Sequence, residues 1–434
     1  MKNSKLFQYV FIGCFVFFII VGAILFSTYK SSNTSVTNIN ITMWGTIPAD
    51  SFTTFVSHYF SQANLKYTVN YVQKDPSTFD QSLVEALASG VGPDAIILPE
   101  DLIVRYSNKI YPIPYAVLPE LTFKQTFIQE GEMYLNGTGA LALPLAVDPL
   151  VMYWNRDTFN KAGVTKPPVT WAQIAGLVPK MTSLDQSANV LSSTVALGEY
   201  RNVTDAEEIL SALLMQAGSP IVTVNSDGSL QSALKEDYGL KTSPAIAALQ
   251  FYTNFSNPSQ PQYSWNRSLV SSRDAFANGD LAIYFGLASE YTAIQNKNPN
   301  LNFDVALLPQ VANAKVYSTF GHMLGLAIMK NSANPAGTYT VLSALASAEA
   351  VPYWSDLLNI PSARRDILSQ AQKSAVKTVF NQSAIMSKAW LDPNSANTNQ
   401  IFQNMVESYT TGRSGIEEAI GTASDQLDSL LSGK

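Results

Sequence analysis

The sequence predicts an α/β chain of two lobes behind one N-terminal transmembrane helix. Three observations carry this expectation. At 434 residues the chain is too long for one ordinary core. Period-two apolar runs alternate with 3.6-period ones, the pattern of βαβ units and a parallel sheet covered on both faces. Leu6 to Phe26 is an uncharged run, ~31 Å long as a helix rising ~1.5 Å per residue, which matches the bilayer hydrocarbon.

The N-terminal run reads LFQYVFIGCFVFFIIVGAILF. Lys2 and Lys5 precede it, which places the N-terminus in the cytoplasm and the rest outside. A secretory signal has a shorter apolar region of roughly 7–15 residues, so residues 1–30 are expected to be an uncleaved anchor with its helix at 6–26. Phe11-Ile12-Gly13-Cys14 loosely resembles a lipoprotein box, but a lipobox closes the apolar region and this one continues to Phe26. Cys14 is therefore expected as a buried thiol in the helix. Acylation would tether the protein equally well. Residues 31–38 are polar and read as a flexible linker.

In the body, Ile39, Ile41 and Met43 alternate with Asn40, Thr42 and Trp44, a strand. Phe52, Phe55, Val56, Tyr59 and Phe60 fall on one helical face, with His58 off the stripe and at the surface. Tyr67 to Val72 is a second strand. Phe79, Leu83, Ala86 and Leu87 mark a second helix, ended by Gly90. Ala95 to Leu98 suits a buried parallel strand. Asn136 to Gly139 is a turn, and Ala140–Pro144 and Val147–Trp154 are extended. Thr170 is the expected N-cap of a helix beginning at Trp171. Residues 171–255 are mostly helical, and 254–266 form a loop. Leu281–Phe285 and Phe303–Leu308 return to strand. A last helix is expected behind a Ser414–Glu417 capping box.

Composition narrows the function. The balance of 27 Lys plus Arg against 33 Asp plus Glu gives a net charge of -6, which excludes the basic surface that nucleic-acid binding needs. One Cys rules out an intramolecular disulfide, and two His leave no room for a zinc site. No metal and no cofactor is expected, and no Gly-rich phosphate loop, GxSxG elbow or HExxH occurs. Glu100–Asp101 and Glu207–Glu208 are adjacent carboxylates whose side chains point apart, whereas glycosidase carboxylates must face each other across a cleft. They read as solvated surface acids.

Several segments then line up in order. They are Ile41-Thr42-Met43-Trp44; Leu87-Ala88-Ser89-Gly90-Val91-Gly92-Pro93-Asp94; Ala142-Leu143-Pro144-Leu145-Ala146-Val147-Asp148; and Tyr153-Trp154-Asn155-Arg156-Asp157-Thr158-Phe159-Asn160-Lys161-Ala162-Gly163. Pro167-Pro168-Val169-Thr170-Trp171, Ala275 to Ile283, Leu307-Leu308-Pro309, Gly321 to Ile328 and the Gly412 to Ala419 tail follow. With this order and spacing over about 390 residues, the chain resembles the maltose-binding-type (family 1) extracellular solute-binding proteins, the receptors that feed ABC importers. The resemblance implies a type II-like periplasmic-binding-protein fold with hinge strands. It implies lobe 1 at 39–147 plus 302–350 and lobe 2 at 148–301 plus 351–434. It further implies a small solute, a carbohydrate by preference, held between the lobes, permease subunits as partners, and no catalysis.

Ligands in open α/β sheets sit at strand C-termini, and this rule with the resemblance selects the site candidates. Trp44 follows the first strand with a ring face that suits sugar stacking. Asp101 follows the Ala95–Leu98 strand, where sugar-binding members place an Asp, and Asp148 matches a family carboxylate; carboxylates accept paired hydrogen bonds from hydroxyls. Phe285-Gly286 closes the Leu281 strand, and Phe320-Gly321-His322 begins the family's glycine-bearing loop. Tyr353, Trp354 and Arg364 lie where late cleft contacts occur. Where some members carry Trp this chain has Leu98, Leu287, Ala288 and Glu290, which speaks against maltodextrin. Two other classes stay open: a glycan-active enzyme using Asp101 and Asp148, and a transport-independent sensory or protein-interaction module.

Overall fold

A computed structural model describes residues 39–433. The expected spanning segment 6–26, Cys14 and the 31–38 linker lie outside the described residues. Among the described residues no helix is long and apolar enough to cross a membrane.

β1 (Ile39–Gly45) pairs in parallel with β2 (Tyr67–Gln73) over its whole length, and with β3 (Ala95–Pro99) at Met43 and Trp44. α1 (Ala49–Gln62) buries Phe52, Phe55, Val56, Tyr59 and Phe60, the stripe that its period predicts. α2 (Phe79–Ala88) connects β2 to β3. These elements form the first lobe's sheet and its covering layer.

Two long strands then serve both lobes. β4 (Leu143–Asn155) is buried along its length except at Asp148. The second lobe adds β5 (Val190–Val195), α3 (Ala206–Ala217), β6 (Leu281–Leu287) and β7 (Phe303–Ala306). β8 (Thr319–Ile328) lies antiparallel between β3 and β4. The sheet order is β2-β1-β3-β8-β4-β6-β5, with β7 also on β4. The first half of β4 pairs with β8 and the second half with β6 and β7, so one strand passes from lobe to lobe.

Two apolar cores flank this crossing. One holds residues of 41–147 together with Met323 to Ile328, Trp354, Ile360, Ala363 and Leu368. The other runs from Leu150 through Val305, Leu308 and Phe320 to Phe380 and Leu427. The crossings near Leu301 and Val351 therefore move: residues 303–320 pack in the second core, and 351–368 in the first. The reason is that β7 pairs with the second half of β4, while α4 (Val351–Leu358) lays Trp354 on Phe52 and Phe55 of α1.

Local signals fare unevenly. Thr170 caps the Trp171–Met181 helix, its hydroxyl accepting the Gln173 N–H while Gln173 Oε1 accepts the Thr170 N–H. Gly90 takes a φ of 72° after α2, a left-handed position that suits glycine. The Ser414–Glu417 capping box does not form. Gly415 is the N-cap residue of the last helix, without a side-chain cap, and Glu417 and Glu418 meet its positive end instead.

Candidate functional site

β1 and β3 end on the same edge of the sheet. Past β3 the chain makes a short turn of 3-10 helix, Glu100–Leu102. Across the gap, α5 (Ser395–Thr410) begins with Asn394 as its N-cap. Between them lies a cavity of about 500 Å³, lined by Thr46, Ser77, Arg105, Glu100, Asp101, His322, Asn394 and Ser395, among others. A hollow of about 640 Å³ also touches both lobes, at Tyr291, Asn359 and Lys377, but takes none of these strand-end residues. The strand-end cavity is the candidate, because open α/β sheets bind at strand C-termini.

His322 is its hub. It stands on the crossing strand β8, paired across to Asp148 of β4. Its Nδ1 is 2.5 Å from Glu100 Oε1 on the first lobe, and its Nε2 is 3.2 Å from Glu208 Oε1 on α3 of the second. Glu100 Oε2 accepts the Met323 N–H at 2.9 Å, which fixes that carboxylate. With a carboxylate at each ring nitrogen, both nitrogens donate and the ring is an imidazolium. Burial between the lobes works against that charge, but Glu100 and Glu208 outweigh it and hold His322 well above its ordinary value, although 37 % of the side chain meets the cleft. Glu208 shows the reciprocal effect: burial pushes it up, and the hydrogen bond and charge of His322 hold it below the usual range.

Seven further carboxyls surround this bridge. Burial, with the Glu100 charge, raises Asp101, which the Ser395 hydroxyl meets from the other lobe. Burial pushes Asp148 up to about 6, although its Oδ1 accepts the Ser289 N–H at 3.0 Å. Glu130 and Glu207 are raised well above the ordinary value by burial and then by neighbouring acids. Asp205, at a left-handed φ of 55°, is raised by burial and by Glu290 beside it. Glu290 accepts the Tyr284 O–H at 2.6 Å. Asp392 accepts the Thr398 hydroxyl at 2.7 Å and the Asn394 N–H at 2.8 Å, and burial pushes it up to about 7.

Residues 56–380 match the family model described as bacterial extracellular solute-binding protein. The chain belongs to the bacterial extracellular solute-binding proteins. As such a protein it has an extracytoplasmic body and binds a solute without transforming it. It is 23 % identical over 309 residues to the sn-glycerol-3-phosphate-binding periplasmic protein UgpB of Shigella flexneri, covering 67 % of each chain. A binding protein of Brucella abortus is 22 % identical over 295 residues, again 67 % of each. Among solved structures, the cyclic alpha-maltosyl-1,6-maltose binding protein of Arthrobacter globiformis superposes with a TM-score of 0.73 at 16 % identity, over 91 % of this chain and 100 % of that one. A solute-binding protein of Thermotoga lettingae bound with alpha-D-tagatose gives 0.66 at 19 % identity, over 91 % and 100 %. At these identities the structures establish the two-lobed periplasmic-binding-protein fold.

Within this solute-binding protein, Asp101 and His322 line the cavity and Asp148 lies beside them across the strand pair. Phe320 sets its ring edge-on to the imidazole at 4.9 Å. Gly321 lets β8 cross, since a Cβ there would stand 2.7 Å from Ser387 Oγ and 2.9 Å from Val147 Cγ2. Trp44 offers no free ring face: it is 8 % exposed, with Lys74 Nζ 3.7 Å above the ring. Phe285 packs edge-on to Trp171 in the second core, and the Tyr284 ring fills the space beside Gly286. Tyr353 donates to Gln62 on α1, Trp354 is fully buried with Nε1 donating to the Leu345 carbonyl, and Arg364 pairs with Asp366. These six do not line the cavity; for Tyr353 and Trp354 the reason is that α4 packs against α1 and not toward the strand ends.

The larger departure concerns the acids read as solvated. Glu100 is a buried hydrogen-bonded group with a side-chain exposure of 4 %, Glu208 reaches His322, and burial raises Glu207 well above the ordinary carboxylate value. The strand-end rule that selects Asp101 selects its neighbour Glu100 equally well. Glu207 and Glu208 carry no comparable signal, since acids in a first helical turn ordinarily answer the helix dipole. Asp205, Glu290 and Asp392 are brought in from distant segments by the fold.

Proposed function

We propose that this protein is the solute receptor of an ABC importer, taking a sugar or oligosaccharide between its lobes. The cavity at the strand ends is the observation that carries the reading. It sets the charged Glu100, Asp101 and His322 among apolar walls, it draws residues from both lobes, and its central imidazole stands on a strand that crosses between them. Ligand contacts made by both lobes favour the closed shape only when the cleft is filled, and a permease can recognise that shape. Asp101, Asp148 and His322 are the proposed ligand contacts, with Gly321 at the hinge. Relatives of known ligand support the sugar class: the superposing structures named above hold or are named for saccharides.

Residues 6–26 act as a single-pass anchor in the bilayer, holding the body outside the cell near its permease. The uncharged run behind Lys2 and Lys5 supports this. Intact mass beginning at Met1 is the expected result, and a diacylated Cys14 would replace the spanning helix with a lipid anchor.

The decisive experiment is a thermal-shift screen of the full-length chain, in a detergent without a sugar headgroup, against mono- and oligosaccharides. A bound solute stabilises the folded state by mass action, by ~2.7 kcal/mol at a hundredfold excess over Kd. A screen in which sugars never raise the midpoint, while another solute class does, would sink the sugar assignment.

A further inference from the structure

His322 stands where the two cores meet. Phe320, just before it on β8, packs in the second core, and Met323, just after it, packs in the first. Its two ring nitrogens reach opposite lobes. Nδ1 meets Glu100, at the end of the first lobe's β3, and Nε2 meets Glu208 on α3, whose Ile209, Leu210 and Leu213 lie in the second core. A single imidazole therefore ties lobe to lobe.

The two arms of the tie are unequal. Glu100 has both oxygens taken, one by the imidazole at 2.5 Å and one by the Met323 N–H at 2.9 Å. Glu208 sits at 3.2 Å, with its side chain 20 % exposed and no hydrogen bond to any other side chain among the described residues. Nor does Lys or Arg pair with either acid among the described residues. Glu100 thus belongs to the fixed wall, and Glu208 is the arm that can let go. A second ion pair joins the lobes behind the crossing, where Lys377, one turn before Phe380 of the second core, meets Asp356 of α4 at 3.3 Å. Its side chains are 57 % and 75 % exposed, so water and salt screen it.

We propose that Glu208 is a latch: in the solute-free receptor it closes onto His322 and holds part of the population with the lobes together, and a solute hydroxyl then takes its place between them. This rests on the two-lobed receptor reading above and adds a resting state to it. A hydroxyl suits the gap because it both accepts and donates. It accepts from Nε2–H and donates to the Glu208 carboxylate, so the latched and filled clefts use the same two protein groups. A hydrogen bond between charged groups shifts a two-state equilibrium on the order of tenfold to a hundredfold. That biases closure, but falls short of the roughly ten-thousandfold shift that turns a mostly open population into a mostly closed one. The solute supplies the rest.

The latch needs an imidazolium facing a carboxylate. The acids around the ring are Glu100 and Asp101 beyond β3, Glu130 of the first lobe, Asp148 on β4, and Asp205, Glu207 and Glu208 at the start of α3. Burial opposes the ring's charge, but Glu100 and then Glu208 outweigh it and keep the ring protonated well above its ordinary range. When alkali removes the proton, one N–H is left. It stays on the shorter contact, toward Glu100, so Nε2 turns a lone pair to the Glu208 carboxylate and the latch opens.

The test is small-angle neutron scattering from the full-length, solute-free chain in contrast-matched detergent, at about pH 7 and about pH 10, with circular dichroism to follow the fold. Glu208→Ala removes the arm with a helix-favouring residue, and Asp356→Ala removes the other ion pair between the lobes as a matched control. We expect the unaltered chain to expand in alkali, with its radius of gyration rising while its ellipticity holds. Glu208→Ala should be expanded already at neutral pH and lose the alkaline step, whereas Asp356→Ala behaves as the parent. Where Glu208→Ala folds poorly, the alkaline step of the parent and of Asp356→Ala decides. An unaltered chain equally compact at both pH values overturns the latch, as does a Glu208→Ala chain as compact as the parent. Expansion that only accompanies lost ellipticity overturns it too. An Asp356→Ala chain as expanded as Glu208→Ala would put the hold behind the crossing instead. Each of these failures leaves the solute-binding reading standing, since that reading falls only in the solute screen.

Discussion

The carboxylate–imidazolium–carboxylate bridge sets the cleft's response to pH. His322 faces Glu100 and Glu208 directly, with Glu130, Asp101 and Asp148 at longer range and the Phe320 edge beside it. Its folded value lies above its unfolded one, so its stabilising contribution is fully present below about pH 6.5 and fades as pH rises through the folded value. His322→Gln should remove this alkaline step from a series of thermal unfolding midpoints; an unchanged alkaline slope would mean the bridge contributes nothing. Asp392 runs in the same direction, since its folded value too lies above its unfolded one, but over a lower pH window. A carboxyl pushed up to about 7 favours the folded state in acid, and that contribution is lost as pH climbs from about 4 through 7. Asp392→Asn keeps an acceptor for Thr398 and Asn394, and should raise stability above pH 7 by up to roughly 4 kcal/mol. A variant no more stable than the parent at pH 8 would show that the charge is not strained there. The strand-end rule and the family resemblance selected Asp101, Asp148 and His322, and the fold brings the three close together at the strand crossing. Glu100 and Glu208 were misread because adjacency along the chain reveals nothing about what folds over them.

Elements with strong periodicity were the most legible. The α1 stripe is buried as its spacing requires, and Thr170 caps its helix because both partners of the box lie within one turn. Ser414 fails for a similarly local reason: the helix starts one residue later, after Gly415. Trp354 illustrates a limit of analogy. Helix α4 carries it into the aromatic cluster with Phe52 and Phe55, at 5.6 and 4.6 Å, and not into the cleft. Trp354→Ala should cost about 3–5 kcal/mol of stability, read by denaturant unfolding, while ligand affinity at a temperature where it stays folded is unchanged. A large loss of affinity without loss of stability would return Trp354 to the binding site. Gly321 behaves differently. A side chain there meets both Ser387 and Val147 at the crossing, so Gly321→Val should destabilise the chain by roughly 1–3 kcal/mol and blunt any ligand-induced compaction seen by X-ray scattering.

Across the whole molecule, the crossing strands turn two cores into one receptor. β4 changes its ladder partner from β8 to β6 between Pro149 and Leu150, so bending between the lobes is expected there. Ligand binding between the lobes is expected to reduce the radius of gyration of the full-length chain in scattering, and a saturating ligand that leaves it unchanged would argue against hinge closure. Composition, the order of strands and helices, the uncharged N-terminal run and the ordered family segments all lie in the sequence. They determined the α/β class, the two lobes and the solute-binding family, because periodicity and local turn chemistry act over a few residues. Which acids face the cleft was decided only by the tertiary structure. Glu100, Glu208, Glu290 and Asp392 are separated by tens to hundreds of positions, and burial, which sets both their charge and their partners, exists only once the two lobes pack around His322.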